Sequence, residues 1–81
     1  MITADQIRAA RALLRLSARR LAEMAGLSLP TIQRMEAAKG VPSGHSKSLE
    51  AVEVTLKDAG IVFIEENGGG PGVRLKHRAR T

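Results

Sequence analysis

The stretch LSARRLAEMAGLSLPTIQRMEAAKGVPS, residues 16–43, decides the fold. It contains two short segments with apolar residues at helical spacing, separated by Gly26. Ser17 and Ser28 stand where the helices would begin, because a serine hydroxyl satisfies a free N–H group of the first turn. Gly26 suits the left-handed backbone conformation that commonly ends a helix. Two short helices joined by a tight turn containing glycine form a helix-turn-helix, and this stretch predicts one.

The second helix of this pair begins with an unusual apolar tip. Its first turn carries two apolar side chains and its next turn two hydrogen-bonding ones: Leu29, Pro30, Gln33 and Arg34. Pro30 is tolerated there because the N–H group that it lacks would have no partner within the helix. Ile32 and Met35 are three residues apart, so we expect both to face the core. The apolar and polar tip residues are then left on the outward face.

Helices are also predicted on either side of this pair. The sequence TADQ, Thr3–Gln6, fits a capping box and predicts helix 1 over about residues 4–15. The connector GVPSGHS leads into helix 4, predicted over about residues 46–59 and stopped by Gly60. The apolar stripe of helix 4 consists of Leu49, Val52, Leu56 and Ala59. The predicted fold is therefore mainly α, with a four-helix core over residues 1–60.

The segment IVFIEENGGGPGVRLK predicts a β-hairpin over residues 61–76, with strands near 61–65 and 72–76. Both faces of the first strand are apolar, whereas a strand with one wet face should alternate. We therefore expect a second copy of the chain to cover one face. The predicted dimer interface comprises Ile61, Val62, Phe63, Ile64, Val73 and Leu75. The alternative is that helices 1 and 4 cover one face while the other stays partly exposed.

Composition narrows the function classes. The chain has 81 residues, enough for one domain, and no cysteine, which excludes disulfides and thiolate metal sites. Only two histidines are present, so no metal or other cofactor is expected. Thirteen basic and eight acidic residues give a net charge of +5. The basic residues concentrate in 1–40 and 74–81, a distribution that suggests a polyanionic partner, with nucleic acid as the leading candidate and ordinary surface charge as the alternative.

No apolar run approaches the length of about 20 residues that a membrane span requires. The N-terminal sequence also lacks the charged start and apolar stretch of a signal peptide. We therefore expect a cytoplasmic protein without membrane contact. The tail, residues 77–81, is basic and is expected to be disordered.

The stretch 16–43 resembles the helix-turn-helix of Cro/C1 regulators, the phage repressor-like or XRE-type family. The resemblance covers about residues 5–43. It rests on thirteen positions at fixed spacing: Leu16, Ser17, Leu21, Ala22, Ala25, Gly26, Leu27, Ser28, Thr31, Ile32, Glu36, Pro42 and Ser43. It implies a lambda-repressor-like fold, with helix 3 over about residues 28–38 entering the major groove and helix 2 crossing the DNA backbone.

Roles for the outward residues of helix 3 follow from this resemblance. Leu29, Pro30, Gln33 and Arg34 are the predicted base-reading residues. Arg34 can donate two hydrogen bonds to guanine, and Gln33 can read adenine, although either side chain can instead contact phosphate. Leu29 and Pro30 are apolar where the family often has polar residues. They can meet a thymine methyl group, yet Leu29 can also fold back on the protein, and the apolar tip could instead bind a protein.

The resemblance also implies phosphate contacts around this helix. The predicted phosphate-binding residues are Ser17, Arg19, Arg20, Ser28, Thr31 and Lys39. Arg19 and Arg20 lie in the first turn of helix 2, where cations oppose the helix dipole unless an anion is bound; a solvated surface pair is the alternative. Arg11 and Glu36 match positions that pair in this family, so we expect an ion pair that holds helix 3 in place.

These residues predict a homodimer that binds double-stranded DNA at a palindromic site and regulates transcription. The alternative is an antitoxin or an adaptor that binds another protein, such as a toxin or a regulator. An enzyme is not expected. ENGGGPG connects strand to strand, whereas a phosphate-binding loop leads into a helix. Ser43 and His45 are neighbours but lack an acidic partner and an oxyanion donor.

Overall fold

The computed structural model describes residues 1–44 and 46–77. It contains four helices and a two-stranded antiparallel sheet, so the predicted mainly α fold with a C-terminal hairpin is confirmed. The elements are α1 (Ala4–Leu14), α2 (Ala18–Ala25), α3 (Leu29–Ala37), α4 (Ser46–Asp58), β1 (Ile61–Ile64) and β2 (Gly72–Leu75). Helix 1, helix 4 and both strands each end one residue earlier than predicted. His45 and most of the predicted disordered tail, residues 78–81, lie outside the described residues.

Local sequence signals set the helix ends. Thr3 caps α1 in a reciprocal capping box with Gln6, and Ser17 and Ser28 cap α2 and α3 by accepting a backbone N–H bond each. Gly26 ends α2 with φ 71° and ψ 31°, the left-handed conformation expected of it. α3 ends differently, because Ala38 is extended rather than left-handed. The three N-terminal caps therefore determine where α1, α2 and α3 begin.

One apolar core joins all the elements. The largest side chains with almost no exposure come from all four helices: Ile7, Leu21, Ile32, Met35, Leu49, Val52 and Leu56. Ile32 and Met35 face this core, as their spacing predicted. α2 packs on α3, α4 packs on α2 and β1, and α1 packs on both α3 and β2. α1 thus connects the helix-turn-helix to the hairpin.

The hairpin has an inner and an outer face. Its register pairs Ile61 with Leu75, Val62 with Arg74, Phe63 with Val73 and Ile64 with Gly72. Side chains alternate between faces, so one face carries Ile61, Phe63, Val73 and Leu75. These four residues belong to the core or pack against it. Of the six residues predicted to form a dimer interface, only Val62 and Ile64 therefore lie on the outer face, and both are half-buried.

Gln6 fastens the hairpin to α1. Its side chain is only 5% exposed, and its Nε2 atom donates to the carbonyl oxygens of Ile64 at 3.1 Å and Gly72 at 2.9 Å. Its Oε1 atom accepts from the backbone N–H of Thr3 at 2.8 Å. One amide group therefore completes the cap of α1 and satisfies the two carbonyls at the last strand pair.

Candidate nucleic-acid interface

The surface of α3 that faces away from the core presents four residues. Ile32 and Met35 are buried on the opposite side of the helix. At 100° per residue, the outward side is occupied by Pro30, Gln33, Arg34 and Ala37, all exposed. Three of these four were predicted as base-reading residues. The short helix is thus anchored by two buried side chains and leaves one face accessible to a groove.

Leu29 lies at the edge of this face. It is half-buried, whereas Pro30 beside it is exposed. The two apolar residues at the tip of α3 are therefore not equivalent. Pro30 presents its ring outward, and only part of the Leu29 side chain is accessible.

Ala37 was not predicted as a site residue. It lies seven residues after Pro30, which places both on the same side of the helix two turns apart. This spacing was available in the sequence. An alanine carries no hydrogen-bonding group, so nothing in its chemistry marked it. Its contribution to the face is a small surface that allows close approach.

A chain of hydrogen bonds runs along one edge of α3. The hydroxyls of Ser28 and Thr31 lie 2.8 Å apart, and the Thr31 N–H donates to Ser28 Oγ at 3.3 Å. The Arg34 Nη2 atom lies 3.4 Å from Thr31 Oγ1, a long donor distance. These contacts line up two predicted phosphate-binding residues with one predicted base-reading residue. The weak bond leaves the Arg34 guanidinium free to turn toward another acceptor.

Arg11 and Glu36 are brought together by the fold. Arg11 Nε lies 2.7 Å from Glu36 Oε2, and Nη2 lies 2.8 Å from Oε1. The carboxylate is 11% exposed and the guanidinium side chain 24%. The hydrogen bond that Arg11 donates to Glu36 raises the pKa of Arg11 above its usual value, although partial burial acts in the opposite direction. This bidentate geometry joins α1 to the last turn of α3.

Two further bonds extend this joint. Arg11 Nη1 also donates to the Leu16 carbonyl at 3.0 Å, so one guanidinium holds α1, α3 and the α1–α2 turn together. Arg8 donates to the Glu36 carbonyl and to the Asp5 carboxylate. Sequence reasoning missed Arg8. Its spacing of three residues from Arg11 puts both near α3, but many exposed helical arginines share that spacing.

The cations predicted to meet phosphate lie in the first turn of α2 and just beyond the end of α3. Ser17 caps α2, and its Oγ accepts from the Arg20 N–H at 3.0 Å. The side chains of Arg19 and Arg20 are exposed, and Arg20 makes one long contact of 3.4 Å with Glu23. Lys39 is exposed just beyond α3. Both α2 arginines therefore remain accessible at a helix N-terminus that would favour an anion.

Other kinds of site have little support in the part of the chain that the structure describes. Among residues 1–44 and 46–77, no group of three or more His, Cys, Asp or Glu side chains could hold a metal ion. Within the same ranges, no helix is long and apolar enough to cross a membrane. The predicted absence of a hydrolytic pair concerned Ser43 and His45, and His45 lies outside the described residues.

Comparison with known families identifies the helix-turn-helix of this chain. Residues 7–46 match the model of the family described as Helix-turn-helix, which is of the XRE type and Cro/C1-like. A search of curated proteins found no match to the chain. Domains of this family bind DNA and are regulatory, and they are generally not enzymes. The match begins within α1, covers α2 and α3, and ends at the first residue of α4. Residues 7–46 therefore form a helix-turn-helix domain of the Cro/C1 type.

Proposed function

We propose that the protein is a sequence-specific transcriptional regulator that inserts α3 into the major groove of double-stranded DNA. The observation that carries this proposal is the outward face of α3. It presents Pro30, Gln33 and Arg34 together, while Ile32 and Met35 hold the helix to the core. The major groove admits an α-helix, and it is the only groove in which all four base pairs can be distinguished.

The chemistry of this face suggests which bases it reads. Arg34 can donate two hydrogen bonds to O6 and N7 of guanine. Pro30 and the exposed part of Leu29 offer apolar contact to a thymine methyl group. Gln33 can pair with adenine or contact a phosphate. The preferred half-site would then contain a guanine under Arg34 and a thymine under the tip of α3.

Phosphate contacts would fix the protein on the DNA backbone. We assign these to hydroxyl and cationic side chains at the ends of α2 and α3: Ser17, Arg19, Arg20, Ser28, Thr31 and Lys39. All are exposed except Thr31, which is half-buried. The first turn of α2 contains no acidic residue, so nothing there repels an anion. Binding to phosphate would offset the unfavourable position of two arginines at a helix N-terminus.

A homodimer would place two copies of α3 on one face of the duplex. The half-sites of a palindromic operator would then lie about 34–36 Å apart. Val62 and Ile64 on the outer hairpin face are half-buried apolar residues available for this contact. Gly72 beside Ile64 adds no side chain to the face, which would let a second hairpin approach closely.

Selection of bound sequences from a random duplex pool tests DNA binding directly. We expect the selection to enrich a palindromic motif. The affinity for the best selected duplex should then fall steeply as the salt concentration rises. The slope of log affinity against log salt should be about −0.9 for each phosphate contacted. No enriched motif together with a flat salt response would refute the proposal. A steep slope without a motif would leave DNA binding without sequence specificity.

Sedimentation of surface variants tests the dimer. Truncation of the hairpin is unsuitable because Ile61 and Gln6 tie it to the core. Val62→Lys keeps the inner face intact and should convert the dimer to a monomer. Met24→Lys, at another partly exposed apolar position, is the matched control. Equal dimerisation of both variants would show that the outer hairpin face is not the interface.

A second candidate function, an antitoxin or adaptor, is favoured by one observation. A cleft of about 520 Å³ lies between the N-terminus, α4 and the hairpin, and its lining includes none of α2 or α3. Glu65, Glu66 and Phe63 contribute to its wall. Such a cleft suits a basic, apolar segment of a partner protein. If a toxin gene adjoins this gene, co-purification with that toxin should be lost on Glu65→Lys while DNA binding remains.

A further inference from the structure

Arg15 has a backbone conformation that its side chain disfavours. Its φ of 57° and ψ of 40° are left-handed, and it is the only residue other than glycine with positive φ in residues 1–44 and 46–77. A side chain raises the energy of this conformation because Cβ approaches the carbonyl oxygen, whereas glycine adopts it freely. The comparable end of α2 carries Gly26. An arginine at the end of α1 therefore costs stability that a glycine would not.

The fold gains nothing visible from the Arg15 side chain. It is exposed, and within the described part of the chain it makes no hydrogen bond or ion pair. The bonds that close the turn come from the backbone. The Arg15 N–H donates to the Ala12 carbonyl at 3.1 Å, and the Leu16 N–H donates to the Arg11 carbonyl at 2.9 Å. A glycine at position 15 would keep both bonds.

The turn that carries Arg15 is linked to α3 through Arg11. The carbonyl oxygen of Leu16, the next residue, accepts a hydrogen bond from Arg11, and the same guanidinium also binds Glu36 of α3. Ser17, two residues beyond Arg15, caps α2 and precedes the exposed Arg19 and Arg20. Arg15 thus adds an exposed cation two residues before the cap of α2, in a turn that Arg11 links to α3.

We propose that Arg15 is a further DNA-binding residue, contacting a backbone phosphate at the α1–α2 turn beside the α2 arginines. The free energy of this contact would compensate for the stability that the left-handed backbone of Arg15 costs. The inference rests on the proposed DNA-binding function and adds a residue that neither the sequence reasoning nor the family match assigns.

Arg15→Gly tests the inference because it moves two quantities in opposite directions. The melting temperature should rise by several degrees as the strain is relieved. Affinity for the selected duplex should fall about three- to tenfold at 0.1 M salt. The salt slope should become less steep by about one, as expected for the loss of one phosphate contact. Arg15→Lys should keep both the salt slope and the melting temperature of the wild type, because it retains the cation and the strained backbone.

Lys47→Gln is the matched control. Lys47 is exposed in the first turn of α4, so its loss changes net charge equally without changing the turn. The control should leave the slope unchanged. If Arg15→Gly raises the melting temperature but binds DNA with wild-type affinity and slope, the inference is wrong while the proposed function stands. If Arg15→Gly lowers the melting temperature, the premise of strain is wrong. If the wild-type protein itself binds no duplex, the proposed function fails, and this inference with it.

Discussion

Removing the Arg11 guanidinium should destabilise the domain by separating α3 from α1. Arg11→Met keeps an apolar stem of similar length but leaves the Glu36 carboxylate, 11% exposed, without its cation. It also removes the donor to the Leu16 carbonyl. Breaking a fully buried pair costs about 3–5 kcal/mol. Because the Arg11 side chain is 24% exposed, water screens part of the charge and we expect the lower end, about 3 kcal/mol.

This loss is large for a domain of this size. A chain of 81 residues has an expected free energy of unfolding of about 4–12 kcal/mol. A loss of about 3 kcal/mol should lower the melting temperature by about 12–24 °C. Thermal unfolding followed by circular dichroism, together with urea unfolding, would measure both quantities.

The exposed pair Arg20–Glu23 provides the matched control. Its contact is 3.4 Å long, and both side chains are about 60% exposed, so Arg20→Met should cost under about 0.5 kcal/mol. The double variant Arg11→Met, Glu36→Leu should recover much of the stability because no unpaired charge remains buried. If Arg11→Met costs no more than Arg20→Met, the Arg11–Glu36 pair does not hold α3 to α1. A double variant as unstable as the two single losses added together would show that no unpaired buried charge causes the loss.

Three other outcomes follow from the same structure. Gln6→Leu should cost about 2–4 kcal/mol, since it removes the acceptor for the Thr3 N–H in the capping box of α1 and the donor to Ile64 and Gly72. It should also speed amide exchange in β1, and unchanged exchange would show that Gln6 does not hold the hairpin. Gly26→Ala should cost about 1–2 kcal/mol from backbone strain alone, because an added Cβ would meet nothing within 4 Å. Gly26→Asn should cost less, since asparagine tolerates this conformation; equal losses would point to another cause. Ser28→Ala should cost about 1 kcal/mol by removing the α3 cap, and a melting temperature like that of the wild type would contradict the capping role.

The helices and their caps were predictable because their signals are local. Thr3, Ser17 and Ser28 each precede an apolar pattern, and each accepts a hydrogen bond from its own first turn. The two apolar faces of the hairpin could also be assigned from alternation. Which face would be inward required the packing of α1 and α4, which no local pattern reveals.

Contacts between distant residues were beyond the sequence. Gln6 was predicted as part of a capping box, but its side chain also donates to Ile64 and Gly72, which lie 58 and 66 positions further along the chain. The pairing of Arg11 with Glu36 was expected only from the family resemblance, and its third bond, to Leu16, was not foreseen. The left-handed conformation of Arg15 could not be predicted, because arginine, unlike glycine, has no preference for positive φ. Side chains that serve two elements at once depend on the folded arrangement.

The central claim is that α3 reads bases in the major groove through Arg34. The most direct measurement is a cycle of four affinities: wild type and Arg34→Ala, each with the selected duplex and with a duplex carrying 7-deazaguanine at the conserved guanine. 7-Deazaguanine lacks the N7 acceptor in the major groove. Losing the arginine contact should weaken wild-type binding by about 1–3 kcal/mol. If Arg34 reads this guanine, the modified base should weaken the wild type but leave Arg34→Ala nearly unchanged. If the modified base weakens both proteins equally, or neither of them, Arg34 does not read that guanine and the claim is contradicted.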